Sequence, residues 1–148
     1  MKIKIEKLDD SIKMPVYSSE GAAGMDLCAY VPSSMEWVTI PPHKSKLIHT
    51  GFAMAIPDGY FGAIFARSGL ALKEGLRPTN CVGVVDSDYR GEVMVALRND
   101  SDLPRYIKDG ERVAQMIIIP CESVELTQVK SLEATERGAG GFGSTGVS

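Results

Sequence analysis

Proline and glycine interrupt this chain so often that no long regular element fits between them. Pro32, Pro41, Pro42 and the Pro57-Asp58-Gly59 turn separate short runs rich in β-branched and aromatic residues. Punctuation of that kind predicts many short antiparallel strands rather than alternating strands and helices. Lys2–Leu8 alternates charge with Ile and Leu, the period of a half-buried strand. Trp37–Ile40, Lys46–Ile56, Tyr60–Ala66, Glu111–Pro120 and Val124–Val129 read as further strands. Good helical composition occurs only at Leu70–Glu74, with Ser68 placed as N-cap and Gly75 as stop. The expected fold is all-β: an antiparallel β-sandwich or barrel with one short helix.

A chain of 148 residues without repeat or linker suits a single domain, 1–148. A net charge of −3 argues against duplex nucleic acid as a partner, and leaves an anionic small molecule open. Cys28, Cys81 and Cys121 lack CxxC spacing, which predicts reduced, mostly buried thiols in a cytoplasmic protein. His43 and His49 lack metal-ligand spacing. MKIKIEKL alternates charge where a signal peptide needs an apolar run, and Met116–Pro120 is far too short to span a bilayer. No membrane association is expected.

Chemistry concentrates around Gly83–Glu92, GVVDSDYRGE. The apolar run Val82–Val85 and its resumption at Val93–Leu97 predict a β-hairpin with Asp86, Asp88 and Tyr89 at its bend. Those residues are either an ordinary acidic turn or reactive groups on a stiff base. Asp26, in GAAGMDLCAY, is either a buried turn acid or a group holding a metal's waters. Arg67-Ser68-Gly69 is either a plain capped turn or an anion site at a helix start. Gln115 lies in an otherwise apolar strand, where it satisfies backbone groups or aims its amide into a site.

The tail Arg137–Gly146, RGAGGFGSTG, spells Gly138-x-Gly140-x-x-Gly143, but no βαβ unit follows it, and Ser144 stands where a Walker A lysine belongs. What remains is either a disordered end or a flexible arm (137–148) able to wrap a triphosphate and lay Phe142 on a base.

Five stretches in order, AAGMDLCA, ARSGLA, GVVDSDYRGE, GERVAQMI and RGAGGFGSTG, together resemble the trimeric dUTPase family. The resemblance implies a jelly-roll-like fold and Mg²⁺-dependent hydrolysis of dUTP to dUMP and pyrophosphate, which limits uracil in DNA and supplies dUMP for thymidylate synthesis. It also implies a homotrimer with sites at subunit boundaries, each closed by a neighbour's arm. On the family pattern Asp86 and Gln115 hold the attacking water, and Tyr89 packs under the deoxyribose. Asn80 and the backbone of Gly83, Val84 and Val85 face the uracil, with Met94 near the sugar-triphosphate pocket. Arg67, Ser68 and Gly69 bind phosphates together with Arg137, Gly143, Ser144 and Thr145, while Phe142 stacks on the base. Asp26 supports the hydration shell of Mg²⁺, which the substrate phosphates mainly hold. The nearest rivals are a dCTP deaminase on the same fold and a regulatory binding module.

Overall fold

The computed structural model describes residues 1–141. Its elements are β1 (Lys4–Lys7), β2 (Val16–Tyr17), β3 (Met25–Cys28), β4 (Val38–Ile40), β5 (Ser45–His49), β6 (Phe52–Ala55) and β7 (Tyr60–Phe65). They continue with α1 (Ser68–Glu74), β8 (Leu76–Pro78), β9 (Gly83–Val85), β10 (Met94–Asn99), β11 (Arg105–Ile107) and β12 (Arg112–Pro120). All pairings are antiparallel. A five-stranded sheet, β2-β3-β12-β7-β9, is joined by β5-β10-β8 and the ribbons β1-β6 and β11-β4. This is the jelly-roll-like all-β architecture that the motifs imply.

Side-chain alternation builds the core. On β10, Val95, Leu97 and Asn99 point inward while Met94, Ala96 and Arg98 are half-exposed. The inward residues meet Leu27, Ile40, Ile48, Phe52, Ile107, Val113 and Met116, all but fully buried. Asn99 is fully buried, and its amide donates to the Ile40 and Leu103 carbonyls while its oxygen accepts from Ser101. Its burial therefore leaves no polar group unpaired.

Five sequence expectations are corrected. Lys46–Ile56 is two strands, because Gly51 at φ +74° breaks the run and a Cβ there would strike Ile12. Gly83–Val85 and Met94–Asn99 do not pair as a hairpin: β9 lies on β7, whereas β10 lies between β5 and β8. Ser68 is the first helical residue; Arg67 is the N-cap, with extended backbone and no side-chain cap. Gly75 does stop the helix, in the left-handed conformation. Val124–Val129 forms no strand: it pairs with no sheet edge among the described residues and exposes Val124, Leu126 and Val129. Of the cysteines only Cys28 is buried.

No helix among the described residues is long and apolar enough to cross a membrane.

Candidate active site

The candidate residues fall into two clusters. The first is a cleft of about 220 Å³ where Asn80, Gly83, Val84, Val85, Asp86, Tyr89 and Met94 converge. It is smaller than the ~300–1,000 Å³ that encloses a whole drug-sized ligand, so it suits part of one. Leu47, Ile64, Glu92 and Val93 complete its wall and were not anticipated. A larger groove of about 530 Å³, lined by Ile3, Met14, Met25 and Met54 among others, has no Asp, Glu, His, Lys or Arg side chain in its wall. Volume alone does not choose the reactive site.

Strand β9 explains how a backbone can read a ligand here. Gly83, Val84 and Val85 pair with Ile64, Ala63 and Gly62 along one edge. The other edge carries no strand among the described residues, so its N–H and C=O groups remain for a partner. Beyond Val85 the chain turns through Asp86, whose carbonyl accepts the Tyr89 N–H at 3.3 Å. The Asp86 side chain is exposed and has no salt bridge among the described residues. Tyr89 is 41% exposed, and its hydroxyl donates to the Glu92 carbonyl at 3.0 Å. The ring lies over Gly91, where a Cβ would stand 2.5 Å from the Tyr89 oxygen. A side chain at position 91 would have to displace that ring.

The second cluster is centred on Asp26. Its Oδ1 accepts from Arg67 Nε at 2.9 Å, and its Oδ2 accepts from Arg112 Nη1 at 3.1 Å and from the Ser18 hydroxyl. Burial pushes the Asp26 carboxyl up, but the hydrogen bonds from Ser18 and Arg112 and the two guanidinium charges outweigh it. The group is held below the usual carboxylate range and stays ionised. Arg67 is so anchored at Nε and by Nη1 to the Arg112 carbonyl, and its Nη2 makes no hydrogen bond among the described residues. Ser68 and Gly69 are exposed beside it.

Gln115 pairs in register with Asp26 on one side and Phe65 on the other. Its amide donates to the Ala66 carbonyl at 2.9 Å, and its oxygen accepts no hydrogen bond among the described residues. The amide thus satisfies a backbone carbonyl, as one of the two readings of this residue expected.

Arg112 and Ser18 were missed. Arg112 pairs with Cys28, two residues from Asp26, and a register shift between Arg112 and Ala114 brings it onto the Gln115 face. A cation opening an otherwise buried strand was the available signal.

The two clusters do not meet within one chain. Val85 lies opposite Gly62 on β7, which puts Asp86 level with Phe61. Arg67 is six residues further on, roughly 20 Å at about 3.3 Å per residue. Arg137 also stays apart, its guanidinium donating to the Gly140 carbonyl at 2.8 Å on an exposed segment. Phe142, Gly143, Ser144 and Thr145 lie outside the described residues.

The fold and these clusters define an all-β protein with an open strand edge beside an aspartate and a tyrosine, and with two arginines paired on one buried carboxylate. The dUTPase family model matches residues 10–146. A deoxyuridine 5'-triphosphate nucleotidohydrolase of Rhizobium etli is 47% identical over 138 residues, covering 93% of this chain and 88% of that protein. The Desulfitobacterium hafniense protein of the same name is 47% identical over 149 residues, covering 100% and 97%. Among solved structures, the Staphylococcus bacteriophage 80alpha dUTPase with dUPNHPP superposes with a TM-score of 0.87 at 29% identity, covering 99% of each chain. The chain belongs to the dUTPase family.

Proposed function

We propose that this protein hydrolyses dUTP to dUMP and pyrophosphate, water attacking the α-phosphorus. The observation that carries this reading is the single cleft in which a free strand edge, Asp86 and Tyr89 converge. The edge of β9 and Asn80 read the uracil, because backbone donors and acceptors in fixed order suit one pyrimidine face and present the wrong partners to cytosine. Tyr89 and Met94 wall the sugar, and the Tyr89 ring leaves no room for a ribose 2′-hydroxyl. Arg67 takes phosphate through Nη2, helped by Ser68 and Gly69, and Arg137 with the arm residues 142–145 completes the cage and stacks Phe142 on the base.

Asp86 orients the water. A carboxylate is far too weak a base to remove a proton from water before attack. The Asp86 carboxylate therefore stabilises the positive charge that develops on the water and receives the proton late. The free Gln115 oxygen accepts the water's second hydrogen bond.

The donor set fits a magnesium ion held mainly by substrate. No cluster of three metal-binding side chains occurs among the described residues. Asp26 has three of its four acceptor positions filled, by Arg67, Arg112 and Ser18, which leaves one for a metal-bound water. Bound there, Mg²⁺ would supply charge neutralisation of the phosphates. A mutant dUTPase of phage phi11 of S. aureus, 25% identical with a TM-score of 0.79, is described as coordinating a structural Mg(II) ion.

Asp86 and Arg67 sit at opposite ends of β7, so a complete site takes the first cluster from one copy and the second from another. The homotrimer is proposed on that ground. Three unpaired thiols, two of them exposed, suit a reducing compartment, and the cytoplasm is proposed as the location.

Pyrophosphate release from dUTP, UTP, dCTP and dTTP with Mg²⁺ tests the function. Strong preference for dUTP is expected; inertness toward dUTP, or ammonia release from dCTP, refutes it. Sedimentation equilibrium tests the trimer, and a monomer active at nanomolar concentration would refute the shared site.

A further inference from the structure

Glu92 has no part in the reaction described above, yet its carboxylate joins the reactive loop to a distant part of the chain. The side chain is 19% exposed. Its Oε1 accepts the Gly51 N–H at 2.8 Å and the Thr50 N–H at 3.1 Å, while Oε2 pairs with His49 Nδ1 at 2.8 Å. All three partners belong to the corner between β5 and β6. That corner is stiff, since Gly51 occupies a left-handed conformation against Ile12. Next along the chain, the Val93 N–H donates to the Phe52 carbonyl at 2.9 Å and the Val93 carbonyl accepts the Thr50 hydroxyl.

The other direction leads to the cleft. The Tyr89 hydroxyl donates to the carbonyl of Glu92 itself, and the ring spans Gly91 to reach it. Contacts therefore run without a gap from the β5–β6 corner through Glu92 to Tyr89. The carboxylate cannot swing away without leaving the Thr50 and Gly51 N–H groups unpaired, a buried loss that holds it in place.

We propose that Glu92 is a positioning residue whose carboxylate, clamped on His49 and the Thr50 and Gly51 amides, sets the Tyr89 ring in the cleft and so governs discrimination between dUTP and UTP. The inference rests on Tyr89 being the wall on the sugar side. Glu92 itself need not touch substrate. Its effect passes through the backbone carbonyl that the Tyr89 hydroxyl grips.

The readout is the ratio of kcat/KM for dUTP to that for UTP, measured beside thermal stability. Glu92→Ala lowers this ratio by about tenfold or more, whereas Glu92→Gln, which keeps an acceptor for both backbone amides, restores it to within about threefold of wild type. Tyr89→Ala lowers the ratio too, and Glu92→Ala/Tyr89→Ala falls no further, because both act through one ring. A Glu92→Ala protein that melts lower but keeps its ratio, or additive losses in the double variant, overturns the proposal. If Tyr89→Ala alone leaves the ratio unchanged, the sugar-wall reading fails, and that outcome differs from a Glu92 failure. Should Glu92→Ala not fold, Tyr89→Phe deletes only the bond to the Glu92 carbonyl. A fall of about threefold or more at unchanged melting temperature is then expected, and an unchanged ratio overturns the proposal.

Discussion

Replacing Asp26 by Asn separates the charge of that residue from its shape. Asn keeps an oxygen for Arg67 but turns an N–H toward Arg112 and Ser18, so the Arg112 bond and the negative charge are lost and the Ser18 hydroxyl is left only to accept. Hydrogen bonds to charged groups contribute about 1.5–3 kcal/mol each. The Arg112 side chain is 51% exposed, so its pairing is discounted for solvent, whereas Asp26 at 7% exposed keeps the larger share of the rest. The net destabilisation at pH 7 is about 2 kcal/mol, which at a typical urea slope lowers the midpoint by about 1 M. The assay is urea unfolding at fixed protein concentration, followed by the fluorescence of the sole tryptophan, Trp37, which packs edge-on to Tyr106 at 5.5 Å. The folded carboxyl titrates below its unfolded value of about 3.9, so its stabilisation is present above that pH and is lost as pH falls through the folded value. The gap between wild type and variant should therefore be flat near neutrality and narrow below about pH 4. A gap independent of pH into acid, or none at pH 7, would refute the ionised clasp. Because Arg67 loses its anchor, KM for dUTP should also rise.

Asp86→Asn should bind a non-hydrolysable dUTP analogue nearly as wild type does while turnover drops by at least about a hundredfold; wild-type turnover removes Asp86 from the chemistry. Gly91→Ala places a Cβ 2.5 Å from the Tyr89 oxygen and must push the ring aside. The melting temperature should change little, since the displaced atoms end a rotatable side chain, but KM for dUTP should rise; an unchanged KM argues against a Tyr89 contact. Deleting residues 137–148 should leave the melting temperature intact, because among the described residues Arg137–Gly140 bonds only to itself and to Thr135, and should abolish most turnover. Full activity after truncation would exclude the arm from the site.

Local rules sufficed wherever a residue's neighbours in sequence were its neighbours in energy. Alternation over Lys2–Leu8, the left-handed stop at Gly75 and the turn at Pro57-Asp58-Gly59 all depend on a few consecutive residues. The grouping of Val84, Asp86 and Tyr89 was likewise available from one motif, because strand β9 and its following loop carry all three, whereas Asn80 and Met94 join them from either side of it. Which edges those strands join was not available. The apparent hairpin at Gly83–Leu97 follows a correct local pattern, but β10 finds both of its edges taken by β5 and β8, so β9 pairs with β7 instead.

The order of residues decided that this chain is a short-strand β protein of the dUTPase family, since Pro and Gly spacing limits element length and each of the five motifs is a short unbroken run. Tertiary structure decided that Arg112 reaches Asp26, through a bulge that reverses side-chain parity, and that Glu92 grips amides some forty residues upstream. It also put Asp86 and Arg67 at opposite ends of one strand. The physical reason is common to all three: strand pairing and register are set by burying one face of each sheet, a condition on residues far apart in the chain, and no local pattern records which distant edge satisfies it.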